Sequence, residues 1–167
     1  WIQSTDALTR PHSRINTAEK NELPTEIIKI LGDLVGSRSG AIWSKDDDAQ
    51  LAYRGKLGLS EQRFEAIESN SDLITYFKTN DWVINLDEYM IDPTKYNLIE
   101  IPDDILTQEH PWLLIPLGVK DKLIGIVLLC DPIASLDLNW ENYDLLKIVS
   151  QQACSYLEQS DSQERLG

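Results

Sequence analysis

Apolar positions along this chain follow two different periods, and the changes from one to the other mark out helices and strands. Ile27, Ile28, Ile30, Leu31, Leu34 and Val35 recur at helical spacing and form one apolar stripe. Pro24 suits the first turn of that helix, where its missing N–H costs nothing, and Gly36 is the natural stop. Residues 1–22 are polar, with Pro11 interrupting any helix, and are expected to form a linker or frayed arm. Residues 40–44 and 50–54 then read as two strands of a hairpin around a polar turn.

Residues 60–67 suggest a short helix with Ser60 as its cap, and residues 71–78 suggest a second. Residues 82–86 are predicted as a third strand. The stretch from Asp87 to His110 is long and mostly polar, with one helical turn expected near residues 102–106. Connections beyond about 12–15 residues are uncommon unless functional or flexible, so this stretch is expected to be a lid over a ligand. Residues 111–117 and 123–130 are almost continuously apolar, which predicts two strands covered on both faces. Asn139 is expected to cap a long closing helix that buries Tyr143, Leu146, Val149, Ala153, Tyr156 and Leu157. Residues 159–167 are polar and read as a connector towards a further domain.

This order predicts an α+β class fold, an α/β sandwich in which helices pack on a central antiparallel sheet of five to six strands. Residues 23–158 are expected to form that domain, and 42% hydrophobic content over 167 residues is enough for its core. The formal net charge of −13 disfavours nucleic acid and direct contact with an anionic membrane, because both need clustered Lys and Arg. No apolar run approaches the roughly 20 residues of a membrane helix. The chain begins at Trp1 and stops in charged, helix-like sequence, so it is expected to be a segment of a longer protein.

Candidate chemistry is sparse. The run Asp46, Asp47, Asp48 lacks the spaced oxygens and glycine turn of a calcium loop, and reads as a solvated turn. His12, His110, Cys130 and Cys154 are too widely and irregularly spaced for a zinc site. The eight glycines are dispersed, with no phosphate-cradling run. Cys130 and Cys154 lie in apolar stretches, as buried free thiols do, and no metal or cofactor is required by the sequence.

The segment Ile115, Pro116, Leu117, a short turn, then Leu123, Ile124, Gly125, Ile126 and a closing amphipathic helix resembles the GAF domain pattern. Around that hairpin, residues 82–89, Pro93 with Tyr96, residues 110–113 and residues 138–147 resemble the sensor region of the PEP-CTERM-system histidine kinases of the PrsK family. The resemblance implies a GAF-like (profilin-like) fold and a non-catalytic sensory role. It implies a cytoplasmic domain whose parent protein is anchored in the inner membrane and carries a kinase domain in the same chain. The implied partners are an unidentified small-molecule ligand and a second copy in a homodimer.

Ligands of such domains lie between sheet and lid, which makes Trp43, Tyr53, Trp82, Tyr89, Tyr96 and Trp112 candidate walls, with Asp87 and Glu88 as polar contacts. Each of these could equally fill core. Phe64 and Glu68 only partly echo the cyclic-nucleotide pattern, since Ser69 replaces its last acid. Neither cysteine is followed by the histidine common in pigment-binding relatives. Two alternatives stay open: a GAF-fold redox enzyme of the free-methionine-sulfoxide-reductase type using Cys130 and Cys154, and a ligand-free dimerisation scaffold.

Overall fold

The computed structural model describes residues 12–60, 64–119, 122–133 and 138–166. The order is α1 (His12–Val35), β1 (Ser37–Lys45), β2 (Leu51–Leu57), α2 (Asp72–Thr79), β3 (Ile84–Asn85), α3 (Leu86–Ile91), a 3-10 turn (Pro93–Tyr96), α4 (Asp103–Leu106), β4 (Pro111–Val119), β5 (Lys122–Pro132) and α5 (Trp140–Leu166). Five strands form one antiparallel sheet in the order β2-β1-β5-β4-β3. The near-continuous apolar runs of β4 and β5 sit inside it, and the architecture is the expected α+β sandwich.

Two apolar layers follow from strand alternation. On β5, Val127 and Leu129 face a layer closed by Ile27, Ile28, Leu31 and Val35 of α1 and Leu146, Ala153 and Cys154 of α5. Ile126, Leu128 and Cys130 face the other way, onto Trp43, Phe64, Leu73, Phe77, Tyr96 and Ile105. That second layer is covered by α2 and by the segment from β3 to β4. The terminal helices α1 and α5 therefore lie on one face, and α2 with the lid on the other.

Three bulges adjust this alternation. Arg54, Trp112 and Ile124 are each an extra residue opposite a continuous partner strand. Gly125, next to the last of them, sits so close to β1 that an added Cβ would lie 2.4 Å from the Trp43 carbonyl oxygen. Pro116 pairs with Ile126 on one side, while β3 reaches only Leu113 and Leu114 on the other. Its missing N–H thus falls where the edge is open.

Several boundaries differ from expectation. The first helix begins at His12, so residues 12–22 are helical rather than an irregular arm, and Pro24 is inside the helix. The rest of that arm, residues 1–11, lies outside the described residues, as do the start of the helix expected at 60–67 and the β4–β5 turn. Residues 64–66 are not helical, and Ile67 pairs with Leu51 through two backbone bonds of 2.9 and 2.8 Å. The third strand has only two residues, because Asn85 stops it by capping α3: its side-chain oxygen accepts from the Glu88 N–H at 3.2 Å. Gly36, at a φ of 77°, ends α1 in the left-handed conformation as expected.

Asn139 caps α5 as predicted, and it does so reciprocally. Its side chain accepts from the Asn142 N–H, and the Asn142 side chain accepts from the Asn139 N–H, both at 3.0 Å. The helix runs on to Leu166, through most of the stretch read as a connector. Two residues expected in the interior are not there. Tyr156 of α5 and Ile30 of α1 point outwards and are 62% and 49% exposed.

Candidate functional site

The space beneath the lid is built by aromatic residues from distant parts of the chain. Trp43, on β1, is fully buried, and its Nε1–H donates to the Glu65 carbonyl at 3.0 Å. Its ring meets Phe64 and Tyr53 edge-on, at centroid distances of 5.2 and 6.3 Å. From the lid, Tyr96 packs near Tyr76 and Tyr89 at 6.1 and 6.4 Å. The Tyr89 hydroxyl donates to the Ile99 carbonyl at 2.6 Å. Leu73, Ile74, Phe77, Ile99, Ile101 and Ile105 fill what remains, so the layer is solidly packed.

Tyr96 also organises the polar edge of this layer. Its hydroxyl accepts from the Asn85 N–H at 3.1 Å and donates to Glu88 Oε1 at 2.6 Å. Burial, together with the bond to Glu88, holds the phenol well above its usual range, so it stays a donor. Asp87 and Glu88 are exposed on α3. Glu88 has Lys95 at 3.9 Å, and Asp87 has the His110 ring at 3.4 Å.

Of the predicted wall residues, the structure gathers Trp43, Tyr53, Tyr89 and Tyr96 on the lid face. Trp112 lies on the opposite face with α1 and α5, because its bulge turns it to the same side as Leu113. Trp82 is 43% exposed and tilts against Tyr143 of α5, with centroids 5.6 Å apart. Neither lines the space under the lid. Sequence reasoning missed Phe64 and Tyr76 as wall residues, and Asn85 as the cap that ties lid to sheet. The run Asn85, Leu86, Asp87, Glu88 carries the helix-start pattern that would have revealed it.

Elsewhere, openings among the described residues reach the surface. A crevice beside β4, between Phe77, Pro116, Lys122 and Ser150, has about 10 Å³ of room, enough for one water. An open depression of about 350 Å³ is edged by Glu65, Asp103 and Asp104. Asp104 is already engaged there, accepting from the Glu65 N–H at 3.0 Å. In the Asp46 turn, one carboxylate oxygen accepts from the Asp48 and Gln50 N–H groups, which makes it a backbone-capping turn.

The two thiols are buried on opposite faces of the sheet, Cys130 in the lid-side layer and Cys154 in the helix-side layer. Burial, with Asp131 adding to it, pushes the Cys130 thiol up to about 12. Burial and Glu158 push Cys154 up to about 11. A redox pair needs a thiolate and a resolving thiol within reach, and this arrangement provides neither. Both thiols will resist a disulfide-exchange reagent at pH 8 in the native state and react at once in denaturant. Raised folded values mean that the stability from these neutral thiols is complete below the ordinary value of 9.0. It is lost as pH climbs towards 11–12, so denaturant midpoints will fall over that window. Equal reactivity in native and denatured protein would contradict this burial.

No family model matches the sequence, and no curated protein matches it. Among solved structures, the chain is similar to a methyl-accepting chemotaxis protein, residues 122 to 287, at 22% identity and a TM-score of 0.64, over 89% of this chain and 95% of that one. It is similar to the GAF domain of a phosphoenolpyruvate-protein phosphotransferase from Coxiella burnetii at 16% identity and a TM-score of 0.63, covering 91% and 94%. A GAF domain/HD domain protein from Geobacter sulfurreducens aligns at 17% identity and a TM-score of 0.61, covering 83% and 92%. The fold is that of a GAF domain. Among the described residues, no helix is long and apolar enough to cross a membrane.

Proposed function

We propose that this chain is a non-catalytic regulatory GAF domain of a bacterial sensor histidine kinase of the PrsK type, working as a homodimer that passes its state along α5. The observation that carries the reading is an apolar stripe on that helix that stays exposed among the described residues. Leu145 and Ile148 are 43% and 50% exposed, and with Tyr156 they recur at spacings of three and eight residues. With Gln152 as a polar position these residues share one face of the helix, a face that would serve as the seam of a helix pair. Ile30 of α1, the helix that packs beside α5, is exposed as well.

Both terminal helices leave the sheet at the same pole. The C-terminus of α1 and the segment before α5 meet where the Ile133 N–H donates to the Gly36 carbonyl at 2.7 Å. At the opposite pole Lys122, at the β4–β5 turn, pairs with Glu158 of α5 at 2.6 Å. The end of α5 and the beginning of α1 therefore lie towards the same pole, as helices entering and leaving a signalling dimer would. In the parent protein, membrane helices would precede this segment and a kinase domain would follow it.

The test is sedimentation equilibrium of the isolated chain. A dimer at micromolar concentration supports the reading, and a monomer at every concentration overturns it.

A small ligand would have to displace the lid, since its space is filled by Trp43, Phe64 and Tyr96. The acidic surroundings favour a neutral or cationic molecule over a phosphate. The filled layer also favours a second reading, a ligand-free dimerisation scaffold, and a thermal-shift panel of metabolites and nucleotides separates the two. A ligand at about 100 times its dissociation constant adds about 2.7 kcal/mol. No shift from any compound, with the dimer intact, favours the scaffold.

A further inference from the structure

We propose that residues 81–85 are a clamp that couples the lid to the closing helix, with Asn85 as its positioning residue. The inference rests on reading α5 as the output element. Three contacts join this short segment to α5. Asp81 Oδ2 pairs with Lys147 Nζ at 3.0 Å, the Trp82 ring lies against Tyr143, and Asn85 Nδ2 donates to the Tyr143 hydroxyl at 3.4 Å. The same segment holds the lid. Asn85 Oδ1 caps α3, and the Asn85 N–H donates to the Tyr96 hydroxyl, which in turn donates to Glu88.

Asn85 thus makes three bonds with three different groups, two belonging to the lid and one to α5. β3 offers little to hold it otherwise, being two residues long and paired only to β4. When the lid docks, the cap and the Tyr96 bond fix the Asn85 backbone and side chain, which presents its amide to Tyr143. When the lid lifts, Asn85 loses both constraints and α5 loses a contact in its first turns. Those two arrangements form the two-state element that coupling requires, and the effect must run in both directions.

Hydrogen exchange followed by mass spectrometry on the full 167-residue chain tests this. Tyr143→Phe removes one hydroxyl from α5 but should speed exchange in α3 about three- to ten-fold. Tyr96→Phe removes one from the lid but should speed exchange by a similar factor across the first two turns of α5. Asn85→Ser keeps a capping oxygen for α3 but loses reach to Tyr143, so it should loosen the start of α5 and, like Tyr143→Phe, speed exchange in α3. The double variant of Tyr96 and Tyr143 should exchange more slowly than the product of the single effects, with β1 and β2 unchanged throughout. If each variant loosens only its own element and the effects multiply, there is no clamp. The readout is intramolecular, so a wild-type monomer would overturn the dimer reading without touching this result, and the reverse also holds.

Discussion

Replacing Trp43 by alanine will lower the free energy of unfolding by about 3–5 kcal/mol, as truncation of a buried aromatic does. Trp43 is fully enclosed, its indole N–H has a carbonyl partner, and it meets two further rings at their edges. The truncation removes apolar contact, leaves a cavity under the lid and strands the Glu65 carbonyl. For a domain of this size the melting temperature should fall on the order of 10 °C. Trp82→Ala is the matched control. Trp82 is 43% exposed and lies against Tyr143 on the flank of α5, so the loss there should be about 1 kcal/mol. Equal losses at the two positions would mean that Trp43 lines an open space rather than a packed layer.

Ile148→Glu will weaken dimerisation by at least about 100-fold while leaving the monomer folded. Burying an isoleucine contributes about 1.5–3 kcal/mol, and a two-fold interface counts each substitution twice. The loss is then about 3–6 kcal/mol, or two to four powers of ten, before any cost of bringing two carboxylates together. The monomer should not suffer, because Ile148 is half exposed within it. Each protomer carries a formal charge of −13, so raising salt should tighten the wild-type dimer by screening that repulsion. A dimer that weakens with salt would point to an interface held by charge instead of the apolar stripe.

The central hairpin was legible because burial on both faces leaves a plain mark, the unbroken apolar runs of β4 and β5. Asn139 and Gly36 were legible for a similar reason, since capping chemistry is local. Elsewhere, local marks misled. Pro24 looked like a helix start, yet Ala18, Glu19, Lys20, Glu22 and Leu23 are good helix formers that continue the helix through it at the loss of one bond. Residues 64–67 have a helical pattern, but the Ile67 backbone is recruited by Leu51 at the edge of the sheet. No local rule announces a partner sixteen residues away.

The lid-side site was half legible, and β4 shows why. Simple alternation puts Trp112 with Leu114 under the lid, whereas one extra residue in the strand sends it to the opposite layer. Tyr156 and Ile30 failed differently. An apolar residue on an amphipathic helix reads as core, yet both of these side chains are exposed in the fold, and composition alone does not tell the two cases apart.

Cysteine placed at position 148 gives the most direct test of the dimer on which the functional account turns. The native thiols are buried and held protonated, so only the new one will react under mild oxidation. In a parallel α5 pair, position 148 faces its own symmetry mate, within the 4.4–6.8 Å between Cα atoms that a disulfide needs. The account predicts a covalent dimer from Ile148→Cys and none from Glu65→Cys on the opposite face. Monomer from both variants, or equal crosslinking by both, would contradict it.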